Sequence, residues 1–337
     1  MKQSILIIGA GAIGGVIAAR LAQKNIEVDL LVKYPELKRI AKKEGLKVSG
    51  YLGNFTKKVN AFLPSDLLSE TFDIIMIATK ANDMHDAAMH ILPFLKEDSL
   101  VISLQNGICE DDLAKIVGKN RTVGCVVGWG ATMHNPGVYE MTSGGEFIIG
   151  SINGMLSKER LIALKEILDH LVPSRISDSI YSELYSKLII NSCISTLGAI
   201  SGAKLGKMLN KKYLRDIFIE IIREAMRVAE AMQWKVAPYS GKIDYYRFMK
   251  DQSADRFWMH FIIRFIGIKY RKLKSSSLQS IERGKKTEID WFNGYIVKKA
   301  EEYGVDVPLN RMLVRLVKEI EEGRRKPGFE NFNNSDF

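Results

Sequence analysis

The sequence predicts an α/β domain built on a parallel, doubly wound sheet, followed by an all-helical domain. Three observations carry that prediction. Short apolar runs alternate with helical patterns up to about residue 120, a cluster of glycines follows the first run directly, and from about Ile180 onward the apolar spacing is helical. The 337 residues suffice for two cores without disulfide or metal staples. With 46% hydrophobic and 26% charged residues the chain is neither disordered nor fibrous.

The elements follow in order. Ser4–Ile8 is a short apolar run of the kind that forms a buried parallel strand. A helix is expected from about Ala12 to Lys24, with Ile13, Val16, Ile17 and Leu21 on one face. The glycines at 9, 11, 14 and 15 would break the apolar core of a signal peptide, so strand, turn and helix is the better reading. Val28–Lys33, Phe72–Thr79 and Leu100–Leu104 read as further strands, with a helix over His85–Leu95. Thr122–Val127, Gly137–Met141 and Glu146–Gly150 are expected to extend the sheet as antiparallel strands. Helices are expected over Tyr213–Met232, Asp290–Tyr303 and Leu309–Glu322, with Gly304 closing the second of these. The domains are placed at 1–178 and 179–322, with residues 323–337 expected as a frayed polar tail.

The segment Gly9-Ala10-Gly11-Ala12-Ile13-Gly14 is GxGxxG between a strand and a helix, the setting that makes this pattern a dinucleotide signature. Gly9 allows a tight turn, Gly11 lets a pyrophosphate approach the backbone, and Gly14 lets helix and strand pack closely. The helix N-terminus then offers free N–H groups to the phosphates. An NAD site carries an acid at the end of the second strand. Here that strand ends Leu31-Val32-Lys33-Tyr34, and Asp29 lies too early. Lys33 instead suits a 2′-phosphate, so NADPH is the expected cofactor.

Three more segments set polar residues in apolar frames. Thr79-Lys80-Ala81-Asn82 and Ser103-Leu104-Gln105-Asn106-Gly107 follow strands, where a doubly wound sheet binds ligands. Lys187, Asn191 and Ser195 recur at helical spacing and share one face of a helix. A last stretch runs from Ser275-Ser276-Ser277-Leu278-Gln279 to Thr287-Glu288-Ile289-Asp290, with Thr287 or Asp290 as candidate helix caps.

Together these segments resemble the ketopantoate reductases (2-dehydropantoate 2-reductases) over roughly residues 3–320. The resemblance implies a Rossmann-like domain followed by a helical domain, and reduction of 2-dehydropantoate to pantoate on the route to pantothenate and coenzyme A. It implies that Lys187 is the catalytic proton donor and that Asn106 bridges cofactor and substrate. Asn191, Ser195 and Ser276 then contact the substrate, a small anionic 2-oxo acid. Gly9, Ala10, Gly11, Ala12, Ile13, Gly14, Lys33, Lys80, Ala131 and Glu288 complete the implied cofactor contacts. An apolar setting would lower the pKa of Lys187 toward a useful range.

Two features depart from the family pattern. Ser195 stands where a second asparagine is common, and Pro238–Lys274 is longer and more aromatic than expected. That segment is read as an inserted helix packed on the domain or on a dimer partner, with a substrate lid as the alternative. Reduction of a different 2-oxo or β-keto acid therefore stays open, as does a non-catalytic NADP-binding sensor. A homodimer is left open too.

The remaining signals point to no further partner. His85 and His90 lack ligand spacing, so no metal is expected. No Gly-x-Ser-x-Gly elbow occurs. The basic run Lys269–Lys274 lacks any recognition motif for nucleic acid. No apolar run is long enough to span a membrane, so no membrane partner is expected. Cys109, Cys125 and Cys193 are widely spaced, as in a reducing cytoplasm. The net charge of +10 suits anionic ligands.

Overall fold

The structure is a computed structural model, and it describes residues 3–66, 70–250 and 252–333. The chain forms two compact units, Met1–Leu184 and Tyr185–Phe337.

The first unit holds twelve strands and five α-helices among its described residues. Strand β1 (Ile5–Ile8) is buried throughout and leads into α1 (Ala12–Gln23). Then come β2 (Asp29–Leu31), α2 (Pro35–Arg39), β3 (Leu46–Gly50), β4 (Phe55–Lys57), β5 (Asn60–Phe62) and β6 (Phe72–Ile77). They are followed by α3 (Met84–Ile91), β7 (Leu95–Ser103), α4 (Glu110–Val117) and β8 (Thr122–Val127). The unit ends with β9 (Gly130–Asn135), β10 (Val138–Ser143), β11 (Phe147–Ser151), α5 (Lys158–Asp169) and β12 (Ser174–Ile176). Helix α3 stops short of Leu95 because Pro93 cannot continue it.

The main sheet has the order β12-β11-β8-β7-β6-β1-β2-β5. From β5 to β8 every neighbouring pair is parallel. Chain order runs outward from β1 in both directions, so the topological switch lies between β1 and β6, the ligand-binding crevice of such sheets. Three strands had been expected to extend this sheet in antiparallel fashion, and only one does. β11 pairs antiparallel with β8, whereas β8 joins parallel to β7. β10 belongs to a second sheet of order β4-β3-β10-β9 that packs against α1. That second sheet covers the helix face opposite β1, which explains why α1 buries Gly14, Gly15, Val16, Ile17, Ala18, Ala19 and Leu21.

Helix α6 (Ile180–Ser201) carries the chain into the second unit, in which every α or β element among the described residues is helical. Its other helices are α7 (Leu205–Leu209), α8 (Lys212–Ala231), α9 (Ser253–Lys269), α10 (Ser276–Glu282), α11 (Asn293–Tyr303) and α12 (Pro308–Glu321). A buried polar chain ties four of them together. Glu224 on α8 accepts from the backbone N–H groups of Leu309 (2.9 Å) and Asn310 (2.8 Å), capping α12. Asn310 also donates its side-chain N–H to Glu224 and accepts from Asn293 of α11, whose Oδ1 accepts from Thr196 of α6.

The expected frayed tail is ordered as far as it is described. A 3-10 turn forms at Phe329–Phe332, with Asn331 and Phe332 buried. The reason is the open carbonyl of Ile200 near the C-terminus of α6, which accepts from Gly328 N–H (2.8 Å) and Asn331 Nδ2 (3.2 Å). Residues 334–337 of that tail lie outside the described residues.

Candidate functional site

Each unit carries its own group of candidate residues. In the first, the loops after β7, β6, β1 and β2 leave the sheet side by side, at the carboxyl ends of adjacent parallel strands. These are the loops that carry Asn106, Lys80, the glycine turn and Lys33.

The glycines of the turn do different work. Gly9 has φ +96° and donates its N–H to the Leu31 carbonyl at 3.0 Å. A Cβ on Gly14 would lie 2.0 Å from the Gly9 oxygen, so only glycine lets α1 start this close to the turn. A Cβ on Gly15 would strike the Tyr139 ring at 2.2 Å. A Cβ on Gly11, by contrast, would have nothing within 4 Å. Gly11 is the N-cap of α1, with no side-chain capping bond, so the first N–H groups of the helix face open space there. Open space at the one glycine meant to admit a pyrophosphate, with crowding at its neighbours, fits a bound dinucleotide. Tyr139 backs the turn from β10, its hydroxyl donating to the Ala10 carbonyl at 3.0 Å.

The end of β2 carries no carboxylate. Asp29 opens the strand, at the far end from the glycine turn, and accepts from Asn60 Nδ2 at 2.7 Å. Lys33 and Tyr34 follow the strand and are exposed. Gln105 joins the two other loops, accepting from Ser103 Oγ (2.7 Å) and donating to Thr79 Oγ1 (3.4 Å). Lys80 and Asn106 on those loops are half-buried. Ala131 lies on β9 of the second sheet, half-buried and packed on the core.

In the second unit, Lys187, Asn191 and Ser195 form one stripe of α6, as the spacing requires. Lys187 and Asn191 are half-buried and Ser195 is buried. The Nδ2 of Asn191 is a buried donor with no hydrogen-bond partner. Such a group is costly to leave unmade, and a ligand oxygen would satisfy it. The stripe continues to Gly198, where a Cβ would lie 2.4 Å from Ser275 Oγ. This close approach brings α10 onto α6, so that Ser195 Oγ and Ser276 Oγ lie 3.2 Å apart. The α10 cap is Ser275, which accepts from Leu278 N–H at 3.2 Å, whereas α11, the helix that follows Thr287 and Asp290, has no side-chain cap. Thr287 donates to Glu321 of α12 through both its N–H and its hydroxyl, and its Oγ1 accepts from Ile289 N–H at 3.2 Å. Glu288, next in the chain, is buried.

Sequence reasoning missed four contributors. Tyr139 and Gly198 act by supporting the turn and by admitting α10. Glu224 and Asn310 act by capping. A lone polar residue on an otherwise apolar helix face, as at Glu224, was the signal available. A fifth buried group, Glu110, opens α4 fully enclosed. Burial raises its pKa to about 7, against the opposing pull of its own N–H, the Ser103 hydroxyl and the Cys109 N–H.

Among the described residues no group of His, Cys, Asp and Glu could hold a metal, and no helix is long and apolar enough to cross a membrane. All three cysteines are buried thiols outside any disulfide.

Comparison with known proteins agrees with this arrangement. Residues 5–154 match the family model of ketopantoate reductase PanE/ApbA, and residues 179–321 match that of its C-terminal domain. The 2-dehydropantoate 2-reductase of Pyrococcus abyssi is 30% identical over 331 residues, covering 95% of this chain and 99% of its own. The crystal structure of a PanE/ApbA family ketopantoate reductase from Ralstonia eutropha JMP134 superimposes with a TM-score of 0.80 at 28% identity, covering 95% and 99% of the two chains. D-mandelate dehydrogenase, solved with NADH, shares the fold with a TM-score of 0.80 at 24% identity, covering 95% of this chain and 98% of its own. The chain therefore belongs to the ketopantoate reductase family and is an NADP-dependent oxidoreductase acting on a CH–OH group.

Proposed function

We propose that this enzyme uses NADPH to reduce 2-dehydropantoate to pantoate in the cytoplasm, supplying pantothenate and coenzyme A synthesis. The observation that carries the reading is the α6 stripe, with Lys187 beside the unpartnered buried amide of Asn191 and Ser276 set against its far end at Ser195. That row offers a cation, an amide donor and hydroxyls, the groups a small 2-oxo acid needs. When bound, NADPH supplies the hydride for the keto carbon. The chain's own residues do the rest. Lys187 stabilises negative charge developing on the carbonyl oxygen and gives it a proton. Asn191, Ser195 and Ser276 hold the substrate. Gly9–Gly14 and the α1 N-terminus take the pyrophosphate, and Lys33 takes the 2′-phosphate. Lys80, Ala131 and Glu288 make further cofactor contacts, and Asn106 contacts both molecules.

A second reading keeps the chemistry and changes the substrate to another 2-oxo or β-keto acid. The specific observation in its favour is that the Ser195 hydroxyl is already engaged with Ser276. A shorter, occupied side chain there reshapes the substrate end of the stripe. Turnover on a panel of 2-oxo acids decides between the readings. In either case Lys187→Ala should lower kcat by about 10²–10⁴ while NADPH still binds.

A further inference from the structure

Among the described residues, α9 has two apolar faces, one packed on the protein and one exposed. Its inner face, Met259, Ile263 and Gly267, packs on α7 and α8. Gly267 is the point of closest approach, where a Cβ would lie 2.8 Å from the Leu209 Cβ. Trp258 is held to the body of the unit by the Arg247 guanidinium 3.9 Å from its ring and by an edge contact with Phe248. On the outer face Phe257 (75% exposed), Phe261 (59%), Phe265 (57%) and Ile268 (60%) form one stripe along the helix. Exposed Tyr270 and Leu273 continue it beyond the helix end. Soluble monomers rarely leave so continuous an apolar surface uncovered.

The charges around the stripe identify what covers it. Residues 252–274 contain six Lys and Arg and a single acid, Asp255. Asp255 is buried and accepts from Arg247. Arg264 falls within the stripe by helical spacing, and Arg256 and Lys269 border it. Arg271 and Lys272 follow, also exposed. Arg256 is paired with Asp216 and Lys274 with Glu282, whereas among the described residues no carboxylate lies within ion-pair distance of Arg264, Lys269, Arg271 or Lys272. A second copy of the chain docked face to face would bring the same cations together, while Asp216 and Glu282 are already engaged by Arg256 and Lys274. An anionic lipid surface meets both needs, since phenyl rings enter the boundary between headgroups and acyl chains while Lys and Arg meet the headgroups.

We propose that α9 and the basic segment after it form a peripheral docking face for an anionic lipid surface. Such contact needs no spanning helix. The helix lies in the plane of the interface with its inner face still packed on the protein.

The test is co-sedimentation of the full chain with vesicles of phosphatidylcholine alone and of phosphatidylcholine mixed with phosphatidylglycerol. The expected result is pelleting with the mixed vesicles only, weakening as salt rises. Phe261→Ser with Phe265→Ser, and separately Arg264→Glu with Lys272→Glu, should each weaken binding on the order of tenfold. Unchanged thermal melting and NADPH affinity would confirm that these variants fold. Failure to pellet with either vesicle overturns the proposal, as does equal binding to both. A concentration-dependent dimer abolished by the Phe substitutions, without vesicle binding, assigns the face to a second copy and also overturns it. So does capture of a DNA duplex in place of vesicles.

Discussion

Gly11 and Gly14 stand three residues apart in one turn and carry opposite burdens. A side chain at Gly14 has no room, because the Gly9 oxygen would sit 2.0 Å from its Cβ. One at Gly11 meets only open space. Gly14→Ala should therefore cost about 1–3 kcal/mol of stability, as overpacking does. Gly11→Ala should melt within about 1 kcal/mol of the parent, yet bind NADPH on the order of tenfold more weakly, since its methyl enters the pyrophosphate path. Thermal melts beside NADPH titrations check both, and equal destabilisation or undiminished binding in Gly11→Ala would contradict the assignment. Glu110 gives a pH signature at the same scale. Its carboxyl is raised from 4.5 to about 7 in the folded protein. Below the lower value both states are protonated and the group is neutral to stability. As pH rises toward the upper value the unfolded state ionises first, so folding is progressively disfavoured, by roughly 3 kcal/mol once both are ionised. Glu110→Gln should accordingly raise Tm at about pH 8 and leave it nearly unchanged at about pH 4.5. An equal shift at both would contradict the account.

At the scale of elements, β10 and α10 each present one side chain to a functional segment. β10 places Tyr139 under the glycine turn, its hydroxyl bonded to the Ala10 carbonyl. Tyr139→Phe should lose about 1 kcal/mol of stability and raise KM for NADPH while leaving kcat at saturating cofactor intact. A fall in kcat alone would contradict this role. The same strand shows where sequence pattern stops being informative. β1 and β6 were legible because continuous apolar runs beside glycine or polar loops have one reading, and α8, α11 and α12 because their apolar spacing is strongly helical. β3, β4 and β5 were missed because strands of three to five residues such as Phe55–Lys57 carry too few side chains to show a period. Val138–Ser143 was legible as a strand, but its parallel partner, β3, lies some ninety residues earlier in the chain and leaves no local trace. The site divides in the same way. Glycine turn, Lys187 stripe and Asn106 loop announce themselves by polar residues in apolar frames. Tyr139 and Gly198 act through contacts between distant segments and do not. The tail was misread because Asn331 looks solvated in sequence, while its partner is a carbonyl at the end of α6.

For the whole molecule, two units divide the labour that the family resemblance implies. The first offers the open helix N-terminus and a cation after β2, and the second offers the lysine stripe. The net charge of +10 suits both ligands, since NADPH and a 2-oxo acid are anions and electrostatic steering hastens their encounter. An α9 docked on lipid would use the same excess charge for a different anion. The reduction itself is tested by steady-state NADPH oxidation by the purified enzyme with 2-dehydropantoate and with a panel of other 2-oxo acids, repeated with Lys187→Ala. Turnover of 2-dehydropantoate is expected above the rest of the panel, falling by about 10²–10⁴ in the variant while NADPH affinity holds. Turnover that prefers another acid would contradict the proposed substrate, and turnover undiminished in Lys187→Ala would contradict the proposed chemistry.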